Sequence, residues 1–375
     1  MVYEPTYNLL SETDDLYAHE SQILIKQIGG VDYLFLLYMS NKYAASEWQT
    51  VARARLRVFN LATKAHIRTW DLFYAGLVAG IQIPPDPGIN VPRMYFYGDN
   101  TIRAFCSNET TLFTRDVNIT DPDPANWTAG NISIAQMTMK NGDGDDELLN
   151  VTATTIQTHL EQVLGETNAL YNGLMPLFRN MDIAKSGDNW YAVMEFSGER
   201  ASVASNIVVT LISADAGNTW SFGNLVTYTV LSRTRIIEAS VFFIDTVLHL
   251  ISRATTNIVQ HISSEDNGGT WTQQDNITLT GVLQSKPCAV NYNDGTVKNQ
   301  MAITEVSKYT GNSGRTTLWI GTTTDFVTYT RNMEIVTPTY AHYPSMFYYD
   351  GHLYMSYTKG DGTTDRNKIV IVTVF

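Results

Sequence analysis

The sequence predicts an all-β fold, and three observations support this prediction. Aromatic residues make up 11% of the 375 residues, with 21 tyrosines, whereas charged residues make up only 17%. This balance suits half-buried strands better than exposed helices. Short runs of alternating apolar and polar residues recur along the chain. One eight-residue pattern also occurs twice, which is typical of folds built from repeated units.

The strands of the first hundred residues can be predicted one by one. Alternating apolar runs indicate strands over 21–28, 33–40, 51–59, 93–97 and 101–106, with turn chemistry in Gly29-Gly30 and 84–88. The strand 51–59 places Arg53, Arg55 and Arg57 on one face, because side chains alternate along a strand. We expect this arginine face to be exposed to solvent.

The stretch from about 140 to 170 interrupts the β pattern. Its acidic start, 141–147, is followed by 152–167, where Ile156, Leu160, Val163 and Leu164 recur at helical spacing. We therefore expect an inserted loop and short helix. The acidic residues could hold Ca²⁺, but they lack the spacing of an EF-hand loop, and a solvated loop is the favoured interpretation.

The repeated pattern sets the architecture. It reads Ser-x-Asp-x-Gly-x-Thr-Trp from Ser213 and again from Ser264, an offset of 51 residues, and a weaker copy covers 323–329. Each copy follows an apolar run, as a turn closing a β-hairpin should. An offset near 50 residues is typical of one propeller blade. We expect a single propeller domain over 1–375 with roughly six blades of four strands, interrupted by the insertion.

Composition excludes several function classes. A net charge of -12 repels nucleic acid and anionic lipid, so neither is an expected partner. The apolar stretches are too short to span a bilayer, and no basic-then-apolar leader follows Met1, so we expect no membrane insertion and no export signal. Location, in a virion or in the cytoplasm, stays open. Cys106 and Cys288 lie in apolar settings without metal-ligand spacing, and no cofactor or metal is expected.

The repeat resembles the Asp box, or BNR repeat, of sialidase-like propellers. Beyond the repeat, four positions resemble the exo-sialidase group of glycoside hydrolases. Glu238 lies one hairpin before Arg253, which stands just upstream of the second repeat. Arg315 precedes the weaker copy, and Tyr343 begins the last such segment, Tyr-Pro-Ser-Met-Phe.

The resemblance implies a role for each of these residues. Tyr343 would be the nucleophile, Glu238 its base and Glu47 the acid, while Arg253 and Arg315 would bind the carboxylate of an acidic sugar, with His342 at the pocket rim. A neutral phenol suits such a substrate because a carboxylate nucleophile would meet like charge. The alternative is that these side chains are ordinary packed or surface residues.

The first strand departs from the family pattern. His19-Glu20-Ser21 stands where the family has an arginine. The sequence therefore leaves three functions open. The first is a sialidase-like retaining glycoside hydrolase, and the second is a non-catalytic glycan-binding or receptor-binding propeller, such as a bacteriophage tail-associated protein. The third is a structural propeller assembling with other proteins or with copies of itself.

Overall fold

The structure, a computed structural model, describes most of the chain. The described residues are 7–8, 17–41, 52–74, 76–78, 81–83, 90–108, 110–140, 143–164, 177–200, 203–225, 237–253, 258–275, 277–278, 282–283, 285–293, 297–306, 317–323, 330–336, 341–360 and 367–373. Most of them lie in strands, as predicted. Among them, no helix is both long enough and apolar enough to cross a membrane.

The strands and the helix have the following order along the chain. The first half contains β1 (Tyr7–Asn8), β2 (Tyr17–Ile28), β3 (Val31–Asn41), β4 (Ala52–Asn60), β5 (His66–Tyr74), β6 (Gly76–Val78), β7 (Ile81–Ile83), β8 (Asn90–Tyr97), β9 (Thr101–Ser107), β10 (Leu112–Asn118), a 3₁₀ helix (Pro124–Asn126), β11 (Thr128–Ala129), β12 (Ser133–Ile134), β13 (Gln136–Lys140), β14 (Asp146–Asn150) and the helix α1 (Ala153–Leu164). The second half contains β15 (Leu177–Ser186), β16 (Asn189–Arg200), β17 (Val203–Ser213), β18 (Thr219–Leu225), β19 (Ile237–Ile244), β20 (Val247–Arg253), β21 (Ile258–Ser264), β22 (Thr272–Gln273), β23 (Ile277–Thr278), β24 (Val282–Leu283), β25 (Cys288–Asn293), β26 (Val297–Val306), β27 (Thr317–Thr323), β28 (Thr330–Val336), β29 (Ala341–Tyr349), β30 (His352–Gly360) and β31 (Asn367–Thr373). All five strands predicted in the first hundred residues are present, with ends shifted by up to four residues.

These strands form the sheets of an all-β propeller. Four sheets have five or six strands each: β8 to β12, β13 to β18 with β14 at one edge, β19 to β23, and β24 to β28. An eight-stranded sheet runs β29-β30-β31-β2-β3-β4-β5, with β1 on β31, and β6 and β7 form a small hairpin. Because β31 pairs with both β1 and β2, strands from the two ends of the chain share one sheet.

The prediction of six four-stranded blades is wrong. The hydrogen bonding defines four separate blades, and the remaining large sheet is continuous over eight strands. The reason is the parallel pairing of β2 with β31 at Tyr17 and Asn367, which joins two segments that a repeat length alone assigns to different blades. A count from sequence length cannot detect such pairing, since it depends on contacts between distant residues.

The inner strands of the sheets surround a common axis. Strands β2, β8, β15, β19, β25 and β29 contact one another in that order, and β29 contacts β2. The sheets pack through apolar clusters on both sides of each inner strand, including one that joins Phe105, Trp190 and Trp220. Two of the candidate site residues, Glu238 and Tyr343, lie near the first residues of the inner strands β19 and β29.

The two strong copies of the repeat fold as matching turns. In the first repeat turn (213–220), the Asp215 carboxylate accepts hydrogen bonds from Ser213 Oγ at 2.7 Å and from Thr219 N and Oγ1 at 2.9 and 2.7 Å. In the second repeat turn (264–271), Asp266 makes the equivalent three bonds at 2.8, 2.6 and 2.7 Å. Each turn connects antiparallel strands, as predicted. Most of the weaker copy lies outside the described residues.

The predicted helix is present as α1. Thr152 Oγ1 accepts a hydrogen bond from Thr155 N at 3.1 Å at its start, which caps the first turn. Ile156 and Leu160 are buried in the cluster that also holds Trp220. The acidic loop is shorter than predicted because its end, from Asp146, forms β14 and adds a strand to the neighbouring sheet.

The arginine face of β4 is a second correction. Arg55 and Arg57 are 6% and 5% exposed, so the prediction of a solvent-exposed face is wrong. Asp71 on β5 lies 2.8 Å from Arg55 Nε and 2.9 Å from Arg53 Nη1. Burial raises the pKa of Asp71, but its bonds to the two guanidinium groups outweigh burial and lower it. The charges are tolerated inside because the adjacent strand supplies their partner.

Candidate functional site

Three inner strands carry, near their first residues, a bulge that holds a non-glycine residue with positive φ. The pairing registers of β2, β19 and β29 with their neighbours each shift at this level. Inside the bulges, Glu20, Glu238 and Tyr343 have φ angles of 49°, 56° and 52°. Positive φ is unfavourable for residues with a side chain, and such strain concentrates at functional sites. The other described non-glycine residues with positive φ lie in connections between strands.

Two of these bulge residues contact each other. Tyr343 Oη donates a hydrogen bond to Glu238 Oε1 at 3.0 Å. On the other side, Arg253 Nη1 lies 3.3 Å from Glu238 Oε2, and the side chains of Arg253 and Glu238 are 22% and 17% exposed. The carboxylate is therefore held between a phenol and a guanidinium group. Three of the four residues that the resemblance singles out converge, although they come from two sheets.

The backbone around this pair is also fixed by hydrogen bonds. Glu238 N donates to the carboxylate of the buried Glu195 at 2.7 Å. Tyr343 N donates to Ser285 Oγ at 3.3 Å. The ring of His342 is buried, with its centroid 4.8 Å from that of Tyr343. His342 thus packs behind the tyrosine and is not one of the residues that line the neighbouring cavity.

A cavity of about 440 Å³ lies along the axis between the inner strands. Tyr343 and Glu20 both line it, and it extends from the bulges toward apolar residues further along the strands. Glu238 and Arg253 do not line it and adjoin it through Tyr343. The cavity is large enough for one sugar ring, and the phenol is the group of the pair that faces it.

A second polar cluster lies on the cavity wall, centred on Asp182. Its Oδ1 accepts a hydrogen bond from Tyr95 Oη at 3.1 Å and lies 3.7 Å from Arg93 Nε. Its Oδ2 accepts from Val241 N at 3.1 Å and lies 3.4 Å from Lys286 Nζ. Residues from three strands and from the segment before β25 therefore meet at one carboxylate.

The electrostatics of this cluster are strongly perturbed. Burial raises the pKa of Asp182, but the charges of Lys286 and Arg93 outweigh burial and lower it. Burial, together with repulsion from Arg93, lowers the pKa of Lys286 to about 8, although Asp182 opposes the shift. Burial raises the pKa of the neighbouring Cys288 thiol to about 11. Ionisable groups with perturbed pKa values in a cavity are typical of functional sites.

This cluster was not predicted from the sequence. Arg93 lies in a predicted strand, but no sequence motif gives a role to Arg93, Asp182 or Lys286. The available signal was a charged residue inside or directly before an otherwise apolar stretch: Asp182 lies inside Met181–Ala184, and Lys286 lies directly before Pro287–Val290. The members are separated by about ninety residues or more, so no local spacing connects them.

The remaining predicted site residues, Glu47 and Arg315, lie outside the described residues. Within the described ranges, no group of three or more His, Cys, Asp or Glu side chains could hold a metal ion, and neither cysteine belongs to a disulfide.

Solved structures of other proteins are similar to this chain in fold. A sialidase from Trypanosoma rangeli, in complex with 2,3-difluoro-KDN, is similar over 99% of this chain and 57% of its own, with a TM-score of 0.62 and 14% identity. A protein of unknown function from Dyadobacter fermentans is similar over 99% of both chains, with a TM-score of 0.63 and 14% identity. The NanB sialidase from Streptococcus pneumoniae matches over 100% of this chain and 70% of its own, with a TM-score of 0.51 and 10% identity.

These similarities concern structure. The chain spans only 54–58% of the Trypanosoma rangeli sialidase chains that it matches. No protein-family model matches the sequence, and a search of the curated proteins also finds no match. At identities of 10–15%, the comparisons establish the architecture and leave the activity to be argued from the site. The chain therefore has a sialidase-like β-propeller fold.

Proposed function

We propose that this protein is a glycan-active propeller and, more specifically, a retaining glycoside hydrolase acting on an acidic sugar. The observation that carries the proposal is the 3.0 Å hydrogen bond from Tyr343 Oη to Glu238 Oε1, between residues 105 positions apart. A nucleophile within hydrogen-bond reach of a base, with the base oriented by a third group, is the usual arrangement for covalent catalysis. Arg253 supplies the third group.

The reaction would proceed in two displacements. Tyr343 Oη attacks the anomeric carbon, the bond from that carbon to the leaving oxygen breaks, and the phenolic proton moves to Glu238 Oε1. An acid protonates the leaving oxygen, and Glu47 is our candidate for this role. Water then attacks the same carbon and gives a proton to the conjugate base of that acid, while the bond to Tyr343 Oη breaks and Glu238 returns the phenolic proton, so that the configuration is retained. Because the phenol is neutral, it approaches an acidic sugar without the repulsion that a carboxylate would meet.

The remaining site residues have supporting roles in this proposal. Arg253 fixes the Glu238 carboxylate through the 3.3 Å contact and, with Arg315, would lie near the sugar carboxylate. His342 would support the Tyr343 ring, with which it packs. The chain would act as one propeller domain, in which Glu238 and Tyr343 lie on inner strands and Arg253 on the strand that follows Glu238.

The comparisons support the substrate class. Structures of the Trypanosoma rangeli sialidase with the same fold contain sialic acid and a covalent intermediate with 2,3-difluorosialic acid. In this chain, a tyrosine that lines a cavity of sugar size and is hydrogen-bonded to a carboxylate fits ligands of that kind.

A second candidate is a propeller that binds glycans without cleaving them. Glu20 favours it, because this carboxylate lines the cavity at the bulge of β2, where the exo-sialidase pattern has an arginine. A carboxylate there weakens the binding of an acidic sugar by like charge. Such a protein would bind the sugar and release no product.

Turnover by a Tyr343→Phe variant separates these candidates. We expect the wild type to release sugar from a sialoside or another acidic glycoside, and the variant to be slower by about 10²–10⁴-fold. Tyr349→Phe is the matched control, since Tyr349 lies on the same strand and donates a hydrogen bond to Asp32 at 2.6 Å. Unchanged turnover in Tyr343→Phe would exclude the mechanism. Binding without product in the wild type would favour the second candidate.

A further inference from the structure

Lys286 is an unusual side chain for the wall of a cavity. It is 6% exposed, yet it lines the cavity, and its Nζ makes no hydrogen bond to any described residue. Its contact in the cluster is the ion pair to Asp182 Oδ2 at 3.4 Å. An ammonium group has three donors and no acceptor, and burying it without acceptors is costly. The cavity is therefore the direction from which acceptors can come.

Two cationic side chains lie against the same carboxylate in this cluster. Arg93 and Lys286 share one carboxylate, and both oxygens of Asp182 already accept hydrogen bonds, from Tyr95 and from Val241. Glu20 also attracts the ammonium group, but more weakly than Asp182 does. Because the pKa of Lys286 is about 8, most of the amine is protonated at neutral pH. The Lys286 ammonium group is therefore charged at the cavity wall while its Nζ makes no hydrogen bond to a described residue.

This cluster adjoins the Tyr343–Glu238 pair. Ser285, which accepts the hydrogen bond from Tyr343 N, precedes Lys286 in the chain. Val241, which donates its backbone N–H to Asp182, lies three residues after Glu238 on β19. A sugar ring in contact with Tyr343 would therefore have one side directed at the two cations.

We propose that Arg93 and Lys286, held in place by Asp182, form an anion-binding subsite that receives the negatively charged group of the sugar. This assignment deepens the proposed function and rests on it for the identity of the ligand. It places the anion beside residues of β8 and of the segment before β25, in addition to the arginines that the sequence analysis selected. The subsite would select ligands that carry a carboxylate over neutral ligands of the same shape.

The first arm of the test uses acetate, which carries the anion without the sugar. We expect acetate at constant ionic strength to raise the Tm of the wild type, because a ligand that binds the folded state stabilises it, and to leave the Tm of Lys286→Met unchanged. Lys185→Met is the matched control, since Lys185 also lines the cavity but donates to the carbonyl oxygen of Phe96. An equal acetate shift in wild type and Lys286→Met would overturn the subsite, whether or not the protein acts on sugars.

The second arm measures the binding of sialic acid and of its uncharged methyl ester by NMR titration. We expect Lys286→Met to weaken the binding of the acid by about 10-fold or more, and to leave the binding of the ester within about twofold. Lys286→Arg should restore most of the affinity, which shows that the loss comes from the charge and not from misfolding. Equal affinity of wild type and Lys286→Met for the acid would overturn the proposal.

The two arms separate the subsite from the proposed function. If acetate distinguishes the variants but neither sugar binds, the subsite stands and the acidic-sugar assignment fails. If both sugars bind equally and acetate has no effect, the glycan site stands and the subsite is wrong.

The pH provides a further check. The binding of sialic acid to the wild type should weaken from pH 7 to 9 as Lys286 loses its proton, while its binding to Lys286→Arg should not change. Other titratable or charged groups facing Lys286 are Glu20, Asp182, Arg93 and Cys288.

Discussion

The repeat turns and the Tyr343–Glu238 site both depend on a carboxylate held by hydrogen bonds beside a residue with positive φ, but they are built differently. In the first repeat turn, every bond to Asp215 comes from within four residues. At the site, Glu238 is bonded by Tyr343, which lies 105 residues away in another sheet. The turn is a local structure, whereas the site exists only when the sheets have assembled.

This difference separates what stabilises the fold from what carries chemistry. The donors to Asp215 belong to its own turn, so the carboxylate has little capacity left for a ligand. The phenol that bonds Glu238 also faces the cavity, so its oxygen can exchange this bond for a bond to a substrate. Substitutions in the turns should therefore reduce stability, and substitutions at the site should reduce activity.

The largest expected effect is on activity, in Glu238→Gln. The amide keeps the size of the side chain but is not a base, so turnover should fall by about 10²–10⁴-fold, while the Tm changes little. Glu161→Gln on α1 is the control, since it makes the same chemical change at a half-buried carboxylate away from the site. Measurement of kcat and Tm on both variants checks the prediction. A lower Tm with an unchanged kcat in Glu238→Gln would contradict the contrast between the two regions.

The next effect is on stability, in Asp215→Ala. Loss of three hydrogen bonds to a partly buried carboxylate should lower the free energy of unfolding by about 2–3 kcal/mol. The same substitution at Asp266, whose bonds to Thr270 are exposed, should cost less. Asp99→Ala is the control because this side chain is 99% exposed. Urea denaturation measures all three, and a cost at Asp99 equal to that at Asp215 would show that the turn bonds contribute nothing.

The same contrast explains what could be predicted from the sequence. The repeat turns, α1 and the early strands follow from local patterns, and all were predicted close to their observed positions. Glu238, Arg253 and Tyr343 could be selected only through a family resemblance, because no local spacing links them. The Asp182 cluster and the buried pairing of Arg55 with Asp71 were missed because their partners come from other strands. The predicted number of blades was wrong for the same reason, since β2 and β31, from opposite ends of the chain, pair with each other.

A further expected effect is a pH dependence of stability that arises apart from both regions. His249 Nδ1 and His261 Nε2 lie 2.9 Å apart on β20 and β21, and burial lowers the pKa of each to about 4. In the unfolded chain both titrate near 6.5, so between about pH 6.5 and 4 the unfolded state binds more protons than the folded state. Stability should therefore fall as the pH is lowered through this range, with a slope approaching about two protons.

His261→Gln tests the origin of that slope. Glutamine can still hydrogen-bond to His249 but does not titrate, so the slope should fall toward about one proton. The repeat turns should contribute only at lower pH, because hydrogen bonds from Thr270 lower the pKa of Asp266 below its ordinary value of 3.8. The Tm measured from about pH 7 to 3 in wild type and variant gives both slopes. Equal slopes would assign the acid sensitivity to other groups, and a slope that persists only below pH 4 would assign it to the carboxylates of the turns.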